Sequence, residues 1–238
     1  MTVITGKKVF AIITGASRGI GRQIALSLAA DVAGDSVFFI LARNDDLLKK
    51  NLEIIKEISN NEVFETKLIF HNAGSLGNLS KKAQELSSSE DWQGYLQSNF
   101  VSVVLLNNHL YEILAKTNDD VPLFVINITS LCAVMPMPSM TQYSAGKAIR
   151  EAYFRNFALE APTVRVLSYS PGPVETDMVN EVYNMTYDDG LREKFTPGAP
   201  SSTEHRTRLT PMETVSKLIG IIDKNDFESG SRIDYFDN

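Results

Sequence analysis

Short apolar runs alternate along the chain with stretches in which apolar positions return every three or four residues. Val9-Phe10-Ala11-Ile12-Ile13 is the β-branched and aromatic kind of run that a central parallel strand, buried on both faces, requires. It leads through Thr14-Gly15-Ala16-Ser17-Arg18-Gly19-Ile20-Gly21 into a helical pattern at Ile20, Ile24 and Leu28. Further strands are expected at 36–41, 67–70, 123–128 and 164–169, with a short last one at 233–236. Helical periodicity covers 45–58, 90–114 as one long helix, and Tyr143 to about Leu159. Thr210-Pro211-Met212-Glu213, a capping box with proline at the first helical position, opens another helix to about Ile222. Residues 180–209 show no clear period and stand where a substrate lid would lie. Strands alternating with helices predict an α/β fold: a Rossmann-type doubly wound parallel sheet in three αβα layers, a single domain over 1–238.

Strand, glycine loop and helix in that order are the context a dinucleotide site needs. Gly15 allows the tight turn, Gly19 lets the backbone approach a pyrophosphate, and Gly21 lets helix and strand pack closely. Ala16, Ser17, Arg18 and Ile20 complete the cradle, with the phosphates on the helix N-terminus. The second strand ends in Ala42-Arg43-Asn44, where an NAD-preferring site would carry an acidic residue. Arg43 and Arg18 together suit a 2′-phosphate, which predicts NADP(H) over NAD(H); solvated surface arginines are the alternative. The 67–70 strand ends at His71-Asn72-Ala73-Gly74. There Gly74 permits close approach to the cofactor, and His71 is expected to be a packed strand-end residue.

The chemistry is expected at Ser130 and at Tyr143 with Lys147. The last two are four residues apart, on one face of a helix. A free phenol, with a pKa of about 10, is a poor proton donor at neutral pH. An ammonium one turn away is expected to bring it down toward the working range. Ser130 follows the 123–128 run, and a hydroxyl at the carboxyl end of a strand can polarise a carbonyl. Together they suit giving a proton to a carbonyl oxygen while a hydride reaches the carbon.

Composition narrows the field. At 238 residues, 43% hydrophobic and 22% charged, the chain has the make-up of an ordinary globular domain. A net charge of -6 argues against a nucleic-acid surface and against anionic lipid, and no apolar run approaches membrane-spanning length. One cysteine, Cys132, excludes an internal disulfide and fits a reducing, cytoplasmic setting. Beside Ser130 it reads as pocket lining rather than as a nucleophile.

With these pieces placed, the chain resembles the short-chain dehydrogenase/reductase family over nearly its full length. The marks are Thr14 to Gly21, Asn72-Ala73-Gly74, Ser130, Tyr143-x-x-x-Lys147 and Pro171-Gly172. The resemblance implies that Tyr143 is the general acid, that Ser130 holds the carbonyl, and that Lys147 holds the nicotinamide ribose and tunes the phenol. Asn99, otherwise a solvated mid-helix residue, becomes the family's fourth member, ordering a proton-relay water. Val174, Thr176, Asp177 and Met178 would border the cofactor; Leu131, Cys132 and Gly172 would line the substrate. Within the family the likeness is greatest to enzymes of tetrahydrobiopterin synthesis that reduce pterin side-chain ketones. Asp234 stands where these use a carboxylate to anchor the ring, with a solvated terminal Asp as the alternative. Family members are usually homodimers, paired through the helices of Asn99 and Tyr143. The other readings are a broad NADPH reductase of diketones or quinones, and a catalytically impaired NADP-binding or dimerisation partner protein.

One interval departs from the family. Only 24 residues, 44–67, separate Arg43 from the strand leading to Asn72. That leaves room for one helix, and an edge strand is expected to be missing or reduced to a stub at Glu62-Val63-Phe64. If the chain crosses directly to the 67–70 strand, the right-handed rule puts the 45–58 helix on the face of the Asn99 helix, opposite the Ile20 helix. Weaker NADPH binding or lower stability is expected from losing that edge.

Overall fold

The computed structural model describes residues 2–41, 52–58, 61–115, 121–196 and 208–237. Its centre is a sheet of six parallel strands in the order β2-β1-β3-β4-β5-β6. The strands are β1 (Val9–Thr14), β2 (Val37–Leu41), β3 (Thr66–His71), β4 (Leu123–Ile128), β5 (Val164–Ser170) and β6 (Ser231–Asp234). Every residue of β1, β3 and β4 is buried, as continuous apolar runs between two helical layers should be.

Two cores flank the sheet. On one face α1 (Gly19–Asp31) and α7 (Pro211–Lys224) pack Ile24, Leu28, Val215 and Leu218 against Ala11, Ile13 and Phe124. On the other, α3 (Ser102–Leu114) and α4 (Thr141–Glu160) bring Val103, Leu110, Phe154 and Phe157 against Phe10, Ile12 and Val125. Residues 52–58 are helical, and Ile55 with Leu52 and Ile58 belongs to this second core. That is the face the right-handed crossover requires. Among the described residues no strand lies beyond β2. Glu62-Val63-Phe64 is not a strand; Phe64 is instead a core residue, edge-on to Phe10 at 5.1 Å.

Three expectations on the elements need correction. The long helix is α2 (Ser89–Leu96) followed by a π turn, Gln97–Val101, and then α3. The described part of the 180–209 interval is not irregular: α5 (Asp177–Met185) and α6 (Asp189–Lys194) occupy it. Helices this short carry too few turns for a period to register, yet Val179, Val182 and Leu191 are buried. Residues 197–207 lie outside the described residues. The last strand comes two residues early, with all four of its residues half-buried, so apolarity does not mark it. Its frame is set by hydrogen bonds from Gly230 N to Val166 O (2.8 Å) and from Tyr235 N to Ser170 O (2.8 Å).

Candidate active site

β1, β3 and β4 are neighbours in the parallel sheet, so their carboxyl ends lie side by side. Gly15 and Gly19 have φ of +67° and +56°, a region that favours glycine. Any Cβ on Gly21 would stand 2.4 Å from Asn72 Nδ2 and 2.5 Å from the Gly15 carbonyl. Asn72 ties the loop down: its Nδ2 donates to the carbonyls of Thr14 (3.0 Å) and Gly15 (3.1 Å), while Thr14 Oγ1 accepts from Asn72 N and Ala73 N. A tight glycine loop held open before the N-terminus of α1 fits a pyrophosphate. Thr176, whose methyl is 3.4 Å from the Cβ position of Gly19, opens α5 against this loop. Arg18 reaches Asp177 (3.0 Å) through an exposed ion pair, a contact cheap to open. Val174 pairs with Leu209 across a bridge beside the loop. Arg43 and Asn44 lie outside the described residues.

Ser130 follows β4 and caps the turn Leu131–Ala133, its Oγ accepting from Cys132 N (3.2 Å). Tyr143 and Lys147 leave one face of α4, as the spacing predicts, and both are buried. Ser130 lies near enough to the phenol to favour its ionised form. Lys147 Nζ lies 5.5 Å from the Tyr143 ring centre and donates to the Ile128 carbonyl (2.7 Å). Burial pushes Tyr143 up to about 12, with the neighbouring Cys132 adding to the rise; Ser130 and the Arg150 guanidinium pull the other way. Burial and Arg150 hold Lys147 well below the usual lysine range. Lys147 therefore does not lower the phenol as its spacing suggested. A buried amine favours its neutral form and supplies little charge to a neighbour. Cys132 is buried and its thiol pushed up by burial, which suits lining rather than attack. Together with Met140, Leu76 and Val182, with Met178 against them, it surrounds Tyr143 with an apolar wall.

Asn99 sits in the π turn, and it is buried rather than solvated. Its Oδ1 accepts from Ser75 N (2.7 Å) and its Nδ2 donates to Tyr95 O (2.9 Å) and Ser75 Oγ (3.1 Å). π turns are frequent at functional sites. Asn99 Oδ1, Lys147 Nζ and Arg150 Nη1 all converge on Gly74, within 3.6–3.8 Å of where its Cβ would be. His71 is packed, as expected, its Nε2 3.1 Å from Asn107 Oδ1.

Asp234 ends β6 beside Ser170 of β5. Its carboxylate, 13% exposed, pairs with Arg232 (3.3 Å), and Arg232 in turn pairs with the buried Glu151 (3.2 Å). Gly172, at φ +74°, is overlaid by Leu209, Phe236 and Tyr235. Arg150 went unremarked in the sequence. The signal was there: a cation on the buried stripe 143, 147, 150, 154 of a helix.

A glycine loop before a helix N-terminus, with a tyrosine–serine–lysine group at a neighbouring strand end, defines a Rossmann-type oxidoreductase. The model of the short chain dehydrogenase family matches residues 61–186, and the chain belongs to the short-chain dehydrogenase/reductase family, whose members act on CH–OH and C=O groups. It is similar to the sepiapterin reductase of Bos taurus, 30% identical over 256 aligned residues that cover 95% of this chain and 94% of that one. The sepiapterin reductase of Meriones unguiculatus is 30% identical over 263, covering 95% and 96%. Both alignments are longer than the 238 residues of this chain, so the relatives carry residues that it lacks. The fold is shared with ligand-free aldohexose dehydrogenase of Thermoplasma acidophilum, at a TM-score of 0.73 and 19% identity, over 99% of this chain and 95% of that one.

Proposed function

We propose that the protein is an NADPH-dependent carbonyl reductase whose substrates are the side-chain ketones of pterins, as in tetrahydrobiopterin synthesis. The observation that carries this is the likeness to two sepiapterin reductases along almost all of both chains. The cradle at Gly15, Gly19 and Gly21 suits the pyrophosphate, Arg18 and Arg43 suit a 2′-phosphate, and Lys147 is placed to hold a ribose. Bound NADPH supplies the hydride. Ser130 donates a hydrogen bond to the substrate carbonyl, and Tyr143 gives its phenolic proton to the same oxygen as charge develops there. The apolar wall around Tyr143 excludes water. Asp234 accepts two hydrogen bonds from the amino-pyrimidine edge. The same reading has the enzyme in the cytoplasm as a homodimer. The helices of Asn99 and Tyr143 would pair it, and Leu105, Ile149 and Leu159 stand exposed on them.

The Arg232 pair on Asp234 favours a second reading, a broader NADPH reductase of diketones in which that carboxylate is incidental. Measuring NADPH oxidation with sepiapterin and with a simple diketone, before and after Asp234→Ala, separates them. For a pterin enzyme, KM for sepiapterin rises about tenfold or more while the diketone is untouched, the cost of one charge-assisted hydrogen bond. Equal effects on both substrates, or none, favour the general reductase. A nucleotide titration without binding would leave neither standing, and would point to the impaired partner protein.

A further inference from the structure

Arg150 is among the least accessible residues of the chain, 1% exposed, and three neutral oxygens hold its guanidinium. Nε donates to Asn127 Oδ1 (3.0 Å) on β4, Nη1 to the Ala73 carbonyl (2.9 Å) and Nη2 to the His71 carbonyl (2.6 Å). A buried cation without a carboxylate among these partners is expensive to keep. Glu151, next in sequence, turns instead to Thr129 (2.5 Å) and Arg232. The two carbonyls flank Asn72, which fastens the glycine loop. One fork thus joins three things: the end of β3, the loop 72–74 on the cofactor side, and the helix that carries Tyr143 and Lys147.

We propose that Arg150 is a positioning residue for the reduction: its fork sets the 72–74 loop against α4, and its fixed positive charge lies beneath the proton donor. The inference rests on Tyr143 as that donor, and not on which carbonyl compound is the substrate. The titratable groups facing this charge are Tyr143 and Lys147 from α4, Tyr95 from α2, and His71 from β3. The charge favours the phenolates and disfavours protonated Lys147 and His71. A lysine this deeply buried would favour its neutral form, as Lys147 does, so lysine and glutamine alike would lose both the charge and the fork.

The test compares Arg150→Lys and Arg150→Gln in kcat against pH, KM for NADPH, and hydrogen exchange of the amides of residues 72–75 in the protein alone. Reduction needs the Tyr143 proton, so its rate falls as pH rises through the phenol's titration. Removing a positive charge raises that pKa and moves the fall to higher pH. Arg150→Gln is expected to lower kcat about 100-fold, the cost of roughly an ångström of misplacement, and to displace the alkaline limb upward. Arg150→Lys should displace the limb in the same direction, lower kcat about 10- to 100-fold and raise KM for NADPH. In both, the 72–75 amides exchange faster. A limb that stays put in both variants overturns the role of the charge. Unchanged loop exchange overturns the role of the fork. If Arg150→Gln does not fold, Arg150→Lys alone still decides both. Tyr143→Phe, run alongside, tests the underlying reading: activity retained there would remove the donor itself and be told apart from either result.

Discussion

Burial, more than their one-turn spacing, sets the ionisation of Tyr143 and Lys147. A helical wheel brings Lys147 to Tyr143, but it carries no information on burial, and burial dominates here: it raises the phenol to about 12 and suppresses the ammonium. What opposes the rise is the Ser130 hydroxyl and the guanidinium of Arg150. Ser130, Tyr143 and Lys147 were legible because they lie within 18 residues of sequence on one strand end and one helix face. Arg150 was not, since its partners Asn127, Ala73 and His71 are 23 to 79 positions away. Ser130→Ala is therefore expected to do more than withdraw a hydrogen bond from the substrate. It should lower kcat about 10²–10³-fold, the usual loss of an oxyanion donor, and move the alkaline limb of the rate profile upward. Binding of NADPH, followed by fluorescence, should be unchanged. A fall in kcat with the limb unmoved would mean that Ser130 touches only the substrate.

Among the elements, the glycine loop and the capped α7 could be read directly, because each states its backbone requirement in residue types at fixed offsets. Thr210 and Glu213 form the expected capping box, Glu213 Oε2 accepting from Thr210 N at 2.7 Å. The π turn at Asn99 left no such mark, since one extra residue in a helical turn does not alter composition. Gly146, inside α4, is another silent requirement. A Cβ there would lie 2.6 Å from the Tyr95 hydroxyl and 2.8 Å from its ring. Tyr95 has little freedom to retreat, because Asn99 Nδ2 donates to its carbonyl and its hydroxyl lies 3.4 Å from the Ser75 carbonyl. Gly146→Ala should thus cost about 1–3 kcal/mol in urea unfolding, as overpacking does. Kinetically, it should lower kcat by disturbing the Asn99 turn. Adding Tyr95→Leu should return at least about 1 kcal/mol of that loss, a positive coupling between contacting residues. Additive losses would place the strain elsewhere.

The whole molecule follows one topological rule that the sequence could be held to. A direct crossover from β2 toward β3 leaves a single right-handed solution, and Ile55 is buried on the face that solution demands. Because the sheet is covered on both faces, its strand ends inherit a dry environment, and His71 reports it. The ring is fully buried at the end of β3, with Nε2 against Asn107 Oδ1 and Nδ1 without a partner. Burial first, and Arg150 second, lower its pKa from 6.5 to about 3. A folded-state pKa below the unfolded one means that the unfolded chain takes the proton first. The stability contribution is complete above about pH 6.5 and drains away as pH falls toward 3. At 1.36 kcal/mol per unit, roughly 2 kcal/mol should be gone by pH 5. Carboxylates titrating over the same range act on wild type and variant alike, so the difference between them isolates this ring. His71→Gln keeps an amide donor for Asn107 and removes the titration. Urea unfolding should find the stability advantage of wild type over His71→Gln narrowing by about 2 kcal/mol between pH 7.5 and pH 5. A constant gap would show that the sheet's end admits a proton, and that the dry core stops short of the strand ends where the chemistry is placed.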